Sequence, residues 1–165
     1  MWDGSVSLKR NEFLKEAGTK DTNLYFVVSG TIKMSIFNKH EEHVVRFGYK
    51  NSFIASMDSF LSGSTSDFCL QAIKKVELKF ITKKNHSKLI SQSIENQSLW
   101  NKILELIVIQ QLEHEKDILL SSPKERFLKV FNRSPNLFQE IPNKHIASYL
   151  RMTPETLSRL KKVLI

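Results

Sequence analysis

Between Glu95 and Ser121 the chain contains neither glycine nor proline. A stretch of that length without a breaker reads as one long helix. It separates two stretches of quite different character. Eight of the eleven residues from Leu99 to Ile109 are apolar. That is too many for the single stripe of a surface helix, so two of its faces need cover. Trp100, Leu104, Ile107, Gln111, His114 and Ile118 follow alternating steps of four and three. Such a pattern predicts a helical seam with polar members in its second half, and hence a parallel homodimer in which His114 fixes register.

Upstream, Glu12 to Ile81 is rich in Phe, Val, Ile, Thr and Tyr, with turn residues at short intervals. Leu24–Val28 and Thr31–Phe37 are two strands joined at Ser29-Gly30, where glycine can take the positive φ of a tight turn. The polar run Asn38 to Glu42 predicts a second hairpin tip, followed by a strand over His43–Phe47. Phe68–Ile81 holds one or two more strands, and Asn85–Ser93 a helix. Short strands at this spacing predict a barrel-like β-roll, related to the jelly roll and double-stranded β-helix.

Downstream, Ser122 is placed to cap a helix with Pro123 at its first position and Glu125 at its third. That helix ends near Asn132, before Ser134-Pro135-Asn136. A second helix is expected over Lys144–Leu150 and a third from Pro154 to about Val163, capped by Thr153. Ile146, Ala147, Leu150, Met152, Leu157 and Leu160 are spaced to pack these two helices into a helix-turn-helix. Arg151 stands in the turn where a left-handed residue, usually glycine, is expected; a side chain there costs about 1–2 kcal/mol. Glu155, Ser158 and Arg159 share one exposed face, since positions i, i+3 and i+4 lie together. Arg159 suits guanine O6 and N7, Glu155 the amine of cytosine, and Ser158 is short enough to let the helix approach. Lys144, Arg151, Thr156, Lys161 and Lys162 are candidates for phosphate contacts.

Charge agrees with this placement. The net charge is +8. From Ser122 to Ile165 nine Lys or Arg face three Glu, so most of the excess lies in the last quarter of the chain, as a polyanion partner requires. Apolar runs of a few residues fall far short of the ~20 needed to cross a bilayer. Residues Met1 to Ser5 lack the basic and apolar blocks of a signal peptide. A single cysteine, Cys69, cannot form an internal disulfide or hold an iron–sulfur cluster; it reads as a core residue, and a reducing cytoplasm is the expected compartment. His40 and His43 flank two glutamates but read as a solvated hairpin tip rather than a metal site. There is no Gly-rich phosphate loop and no catalytic triad, so a binding protein is expected, with no enzymatic activity, cofactor or metal.

Leu24-Tyr25-Phe26-Val27-Val28-Ser29-Gly30 resembles the β-roll signature of the Crp/Fnr superfamily of transcription regulators. Met152 to Arg159 resembles that family's recognition helix. The resemblance covers nearly the whole chain and implies an α+β architecture: a cyclic-nucleotide-binding-like β-roll (residues 1–94), a dimerisation helix (95–121) and a C-terminal helix-turn-helix (122–165). Because the chain ends at Ile165, no wing is expected after the last helix. The resemblance further implies double-stranded DNA with palindromic half-sites resembling TTGA as partner, together with a second copy of the chain, RNA polymerase and an unidentified small-molecule effector. Departures from the family pattern fall in the effector pocket. Ala55 and Ser56 stand where nucleotide-binding members carry Gly and Glu. Ser66 replaces the phosphate-binding Arg, Asp67 adds a negative charge, and Phe68 follows. No arginine between Phe47 and Arg126 can restore the missing one. Loss of cyclic AMP binding is therefore expected, with Phe53, Met57 and Phe68 filling the pocket. The competing reading is a β-roll that binds a ligand or another protein and carries a degenerate helical tail with no role on DNA.

Overall fold

Alternating apolar and polar residues in the first half close into two four-stranded antiparallel sheets. The structure, a computed structural model, describes residues 2–39 and 41–164. Its strands are β1 (Gly4–Leu8), β2 (Phe13–Lys15), β3 (Asn23–Ser29), β4 (Thr31–Asn38), β5 (Glu41–Tyr49), β6 (Phe53–Ile54), β7 (Cys69–Ala72) and β8 (Val76–Thr82). One sheet runs β1-β8-β3-β6 and the other β2-β7-β4-β5. Period-two alternation sends Tyr25, Val27, Ile32, Met34, Ile54, Leu70, Ala72, Val76 and Leu78 into a shared core between them. A short helix, α1 (Met57–Ser62), leaves β6.

The β3–β4 turn depends on Gly30, which has φ +80°. A Cβ there would lie 1.9 Å from the carbonyl oxygen of Lys75, so this turn crosses directly over the start of β8. The expected tip at Asn38–Glu42 is shorter than the sequence suggested. Glu41 and Glu42 already belong to β5 and pair with Asn38 and Phe37. His43 pairs with Ile36 inside the strand, while His40 lies outside the described residues. Among the described residues, no group of three or more His, Cys, Asp or Glu is placed to hold a metal ion. Cys69 is buried in β7, where desolvation pushes its thiol up.

α2 (Lys83–Ile90) begins two residues earlier than expected and stops before Ser91. The long helix α3 is Ile94–Leu119, with Ser93 Oγ accepting from the Asn96 amide at 3.2 Å. α4 (Pro123–Arg133) is capped by Ser122. A single helical turn, α5 (Leu137–Glu140), follows and was not foreseen. α6 (Asn143–Tyr149) and α7 (Pro154–Leu164) complete the chain. The chain forms two compact units, Met1–His86 and Ser87–Ile165. In the second, Phe127, Val130, Ile146, Ala147, Leu150 and Leu157 are essentially inaccessible, and Phe127, Phe131 and Phe138 pack ring on ring at 5.2–5.7 Å.

The seam expected on α3 is out of phase with the helix's exposed face. Gln111 is exposed; Trp100, Leu104, Ile107 and Ile118 are half-buried. His114, expected to fix register in that seam, packs within its own chain. Its ring is buried and stacks on Tyr149 of α6, centroids 4.1 Å apart. Exposed apolar side chains on α3 are instead Ile94, Leu99, Leu106, Val108, Ile109, Leu112 and Leu119. A shallow groove runs along Asn101, Leu104, Glu105, Val108 and Ile109.

Candidate nucleic-acid interface and effector pocket

α6 ends because Arg151 turns left-handed, at φ +54°. The amides of Leu150, Arg151 and Met152 reach back to the carbonyls of Ile146, Ser148 and Ala147 at 2.9–3.1 Å, closing the helix. Thr153 then opens α7. Its hydroxyl accepts from the Thr156 amide at 3.2 Å, and Pro154 occupies the first helical position. Leu157 points back into the core at zero exposure. This anchoring leaves Glu155, Ser158, Arg159 and Lys162 exposed together. A concave surface runs over Asn143, Pro154, Glu155, Ser158, Arg159, Lys162 and Val163.

The expected phosphate-contacting residues divide. Lys144, Arg151 and Lys162 are exposed. Thr156 is half-buried, its hydroxyl paired with that of Thr153 at 3.1 Å. Lys161 is also half-buried and donates to Asn143 Oδ1 at 3.0 Å, with its ammonium 5.9 Å from the Phe138 ring centre. It ties α7 to the start of α6 instead of standing clear of the surface. One residue missed by sequence reasoning is Arg126. Buried in α4, it donates to the adjacent carbonyls of Leu150 and Arg151 in this turn. Its only signal was an arginine on an otherwise apolar helix face.

In the β-roll, the residues expected to form a degenerate effector pocket do meet, but differently. Ser56 and Ser66 are both buried, and their hydroxyl oxygens lie 2.9 Å apart, within hydrogen-bond distance. The Ser56 hydroxyl also lies 2.8 Å from Asp58 Oδ1. Ala55 is buried beside them and Phe68 is half-buried against the core. Asp67, however, is exposed. The carboxylate at this site is Asp58. Burial raises its carboxyl, but hydrogen bonds from Ser66, Ser56 and the Ser59 backbone outweigh that and hold it below its usual range. Phe53 does not fill the pocket. Ile54 takes the inward position of β6, and Phe53 turns out to join Trp2 and Phe26 on the outer surface, at 6.4 and 5.3 Å between rings.

The buried Lys15 was also missed. Its ammonium donates to the carbonyls of Ser66 (2.9 Å), Phe68 (2.6 Å) and Glu16 (3.1 Å). The loop expected to cradle a phosphate is thus tied to β2 by an internal cation, and Ser56 and Ser66 lie within hydrogen-bond distance of each other.

No helix among the described residues is long and apolar enough to cross a membrane. No curated protein sequence matches the chain. Solved structures do. FixK2 from Bradyrhizobium japonicum superposes with a TM-score of 0.81 at 14% identity, over 97% of this chain and 83% of that one. A CooA mutant from Carboxydothermus hydrogenoformans gives 0.76 at 12%, over 96% and 74%. A transcriptional regulator of the CRP family from Thermus thermophilus, TTHB099, gives 0.70 at 12%, over 96% and 83%. These likenesses extend across both units and establish a shared fold. Residues 5–93, more than half of the chain, match the sequence profile of the cyclic nucleotide-binding domain, and the chain belongs to that family.

Proposed function

We propose that this protein is a homodimeric transcription regulator of the Crp/Fnr type that reads double-stranded DNA through α7. The observation that carries this reading is the coincidence, on one capped and anchored helix, of exposed Glu155, Ser158 and Arg159. α6, the turn and α7 then act as a helix-turn-helix, with α7 in the major groove. Lys144, Arg151 and Lys162 position it on phosphates, and Lys161 does so only by giving up Asn143. Dimerisation through the exposed apolar residues of α3, centred on Val108 and Leu112, sets two recognition helices about 34 Å apart on successive half-sites. RNA polymerase is the partner such a dimer would engage beside its site.

Arg159→Ala is expected to lower affinity for the preferred duplex by about 1–3 kcal/mol and to relax preference at one base pair. Lys162→Ala is expected to weaken all sequences alike and to flatten the salt dependence. Fluorescence anisotropy on matched and mutated duplexes at several salt concentrations separates the two effects. Equal losses on every sequence for Arg159→Ala would refute base reading.

The β-roll on this reading has lost cyclic AMP. A bound cyclic phosphate would face Asp58 and no arginine, and would have to part Ser56 from Ser66. Each lost charge-assisted contact costs about 1.5–3 kcal/mol. Calorimetric titration with cyclic AMP is expected to show no binding in the micromolar range; a sub-micromolar constant would contradict the assignment.

A further inference from the structure

Arg126 lies in the first turns of α4, 8% exposed, yet among the described residues none of its four hydrogen-bond acceptors is a carboxylate. All four are backbone carbonyls, and they fall into two pairs. Nη1 donates to Leu120 and, at 3.2 Å, to Ser121, where α3 ends. Nε donates to Leu150 at 2.9 Å and Nη2 to Arg151 at 3.1 Å, in the turn from which α7 springs. Helix ends leave carbonyls that must find donors elsewhere. The backbone amides of residues 150–152 satisfy Ile146, Ser148 and Ala147, and Arg126 takes the carbonyls of Leu150 and Arg151. A guanidinium is planar and rigid, so its donors cannot move independently. The end of α3 and the turn before α7 are therefore held to one plane.

We propose that Arg126 is a positioning residue that sets the protein's selectivity for the spacing between DNA half-sites. This rests on the reading of α7 as a recognition helix and α3 as the dimer helix. In such a dimer the placement of each α7 on DNA follows from its orientation on α3. α7 has eleven residues, so it is about 16 Å long at 1.5 Å per residue. A turn of ~10° about its start would move its far end by roughly 3 Å, close to the rise of one base pair. A second tie, the ion pair of Arg133 in α4 with buried Asp117 in α3, fixes α4 to α3. The stack of His114 in α3 on Tyr149, the last residue of α6, is a third tie; of the three, Arg126 alone bonds the carbonyls of the turn itself. Arg126 touches neither the base-reading face nor the phosphate-contact candidates except through the Arg151 backbone. Its loss should therefore leave the reading of a single half-site intact.

Arg126→Lys keeps the charge but replaces the fork by a point donor. Competition binding is measured on the preferred twofold duplex, on duplexes with one or two base pairs added between half-sites, and on a single half-site. Wild type is expected to favour one spacing by about tenfold or more, the scale of a mismatched base pair. Arg126→Lys is expected to bind the single half-site within about threefold of wild type, with the same base preference, while its spacing discrimination falls to about threefold or less. Unchanged spacing discrimination overturns the proposal. Hydrogen exchange on DNA-free protein keeps the test decisive if the variant is damaged. The amides of Leu120 and Met152 are expected to lose protection together while that of Leu157 keeps it. Loss throughout the unit would show a merely structural arginine, and no loss at all would show no joint; either overturns the proposal. A wild type that selects no duplex overturns the DNA reading instead, and exchange still decides whether Arg126 joins the two segments.

Discussion

Phe127→Ala is expected to destabilise the helical unit by about 3–5 kcal/mol, the cost of deleting a fully buried aromatic ring and leaving its cavity. Phe127 has no accessible surface and lies against both Phe131 and Phe138. It sits one residue after Arg126, on the helix that both α6 and α7 depend on for anchorage. Small units of this size have only about 5–15 kcal/mol in total, so the loss should unfold much of Ser87–Ile165 near body temperature. Urea denaturation followed by near-ultraviolet circular dichroism measures it. DNA binding is expected to fall with stability and to recover at lower temperature, which distinguishes this variant from Arg159→Ala. A loss below about 1 kcal/mol would mean that the aromatic cluster is not the core of the unit.

Gly30→Ala carries the second large effect. The new Cβ would meet the Lys75 carbonyl oxygen at 1.9 Å and the Val76 Cα at 2.8 Å. Both are backbone atoms, so no side chain can swing aside. The left-handed conformation adds about 1–2 kcal/mol for any side chain, and overpacking typically about 1–3 kcal/mol more. β4 and β8 must part at this corner, and their core residues Ile32 and Val76 with them. Thermal melting is expected to show a β-roll weakened by several kcal/mol, with little change in a helical unit that contains no part of this turn. A β-roll as stable as wild type would require a different conformation at Gly30.

Gly30, between two β-prone runs, and Thr153-Pro154, before a periodic apolar stretch, were legible in the sequence because their signals are local. The chemistry that makes them informative acts within a few residues. Arg151 belongs with them: a non-glycine residue at the expected left-handed position was visible in sequence, and it is left-handed. The phase of α3 was not legible. With apolar residues on every side of Leu99–Ile109, seam and buried face have the same composition. The stacking of His114 on Tyr149 and the pairing of buried Asp117 with Arg133, both far along the chain, show which side is already used. Lys15, Asp58 and Arg126 were hidden for the same reason. Each is an ordinary polar residue until long-range folding supplies its carbonyls or hydroxyls. Asp67 looked like the pocket's carboxylate because it aligns with the motif, but it is Asp58, two residues after Ser56, that takes the serine hydroxyls. Phe53 was misplaced by a single step of β alternation, which exchanges core and surface.

If α7 reads DNA sequence through Glu155, Ser158 and Arg159, selection of bound duplexes from a randomised pool at physiological salt is the most direct test. Wild type is expected to enrich a twofold-symmetric site with a guanine–cytosine pair in each half-site, and Arg159→Ala to lose enrichment at that pair alone. Enrichment of no sequence by wild type, or the same motif recovered with Arg159→Ala, would contradict it.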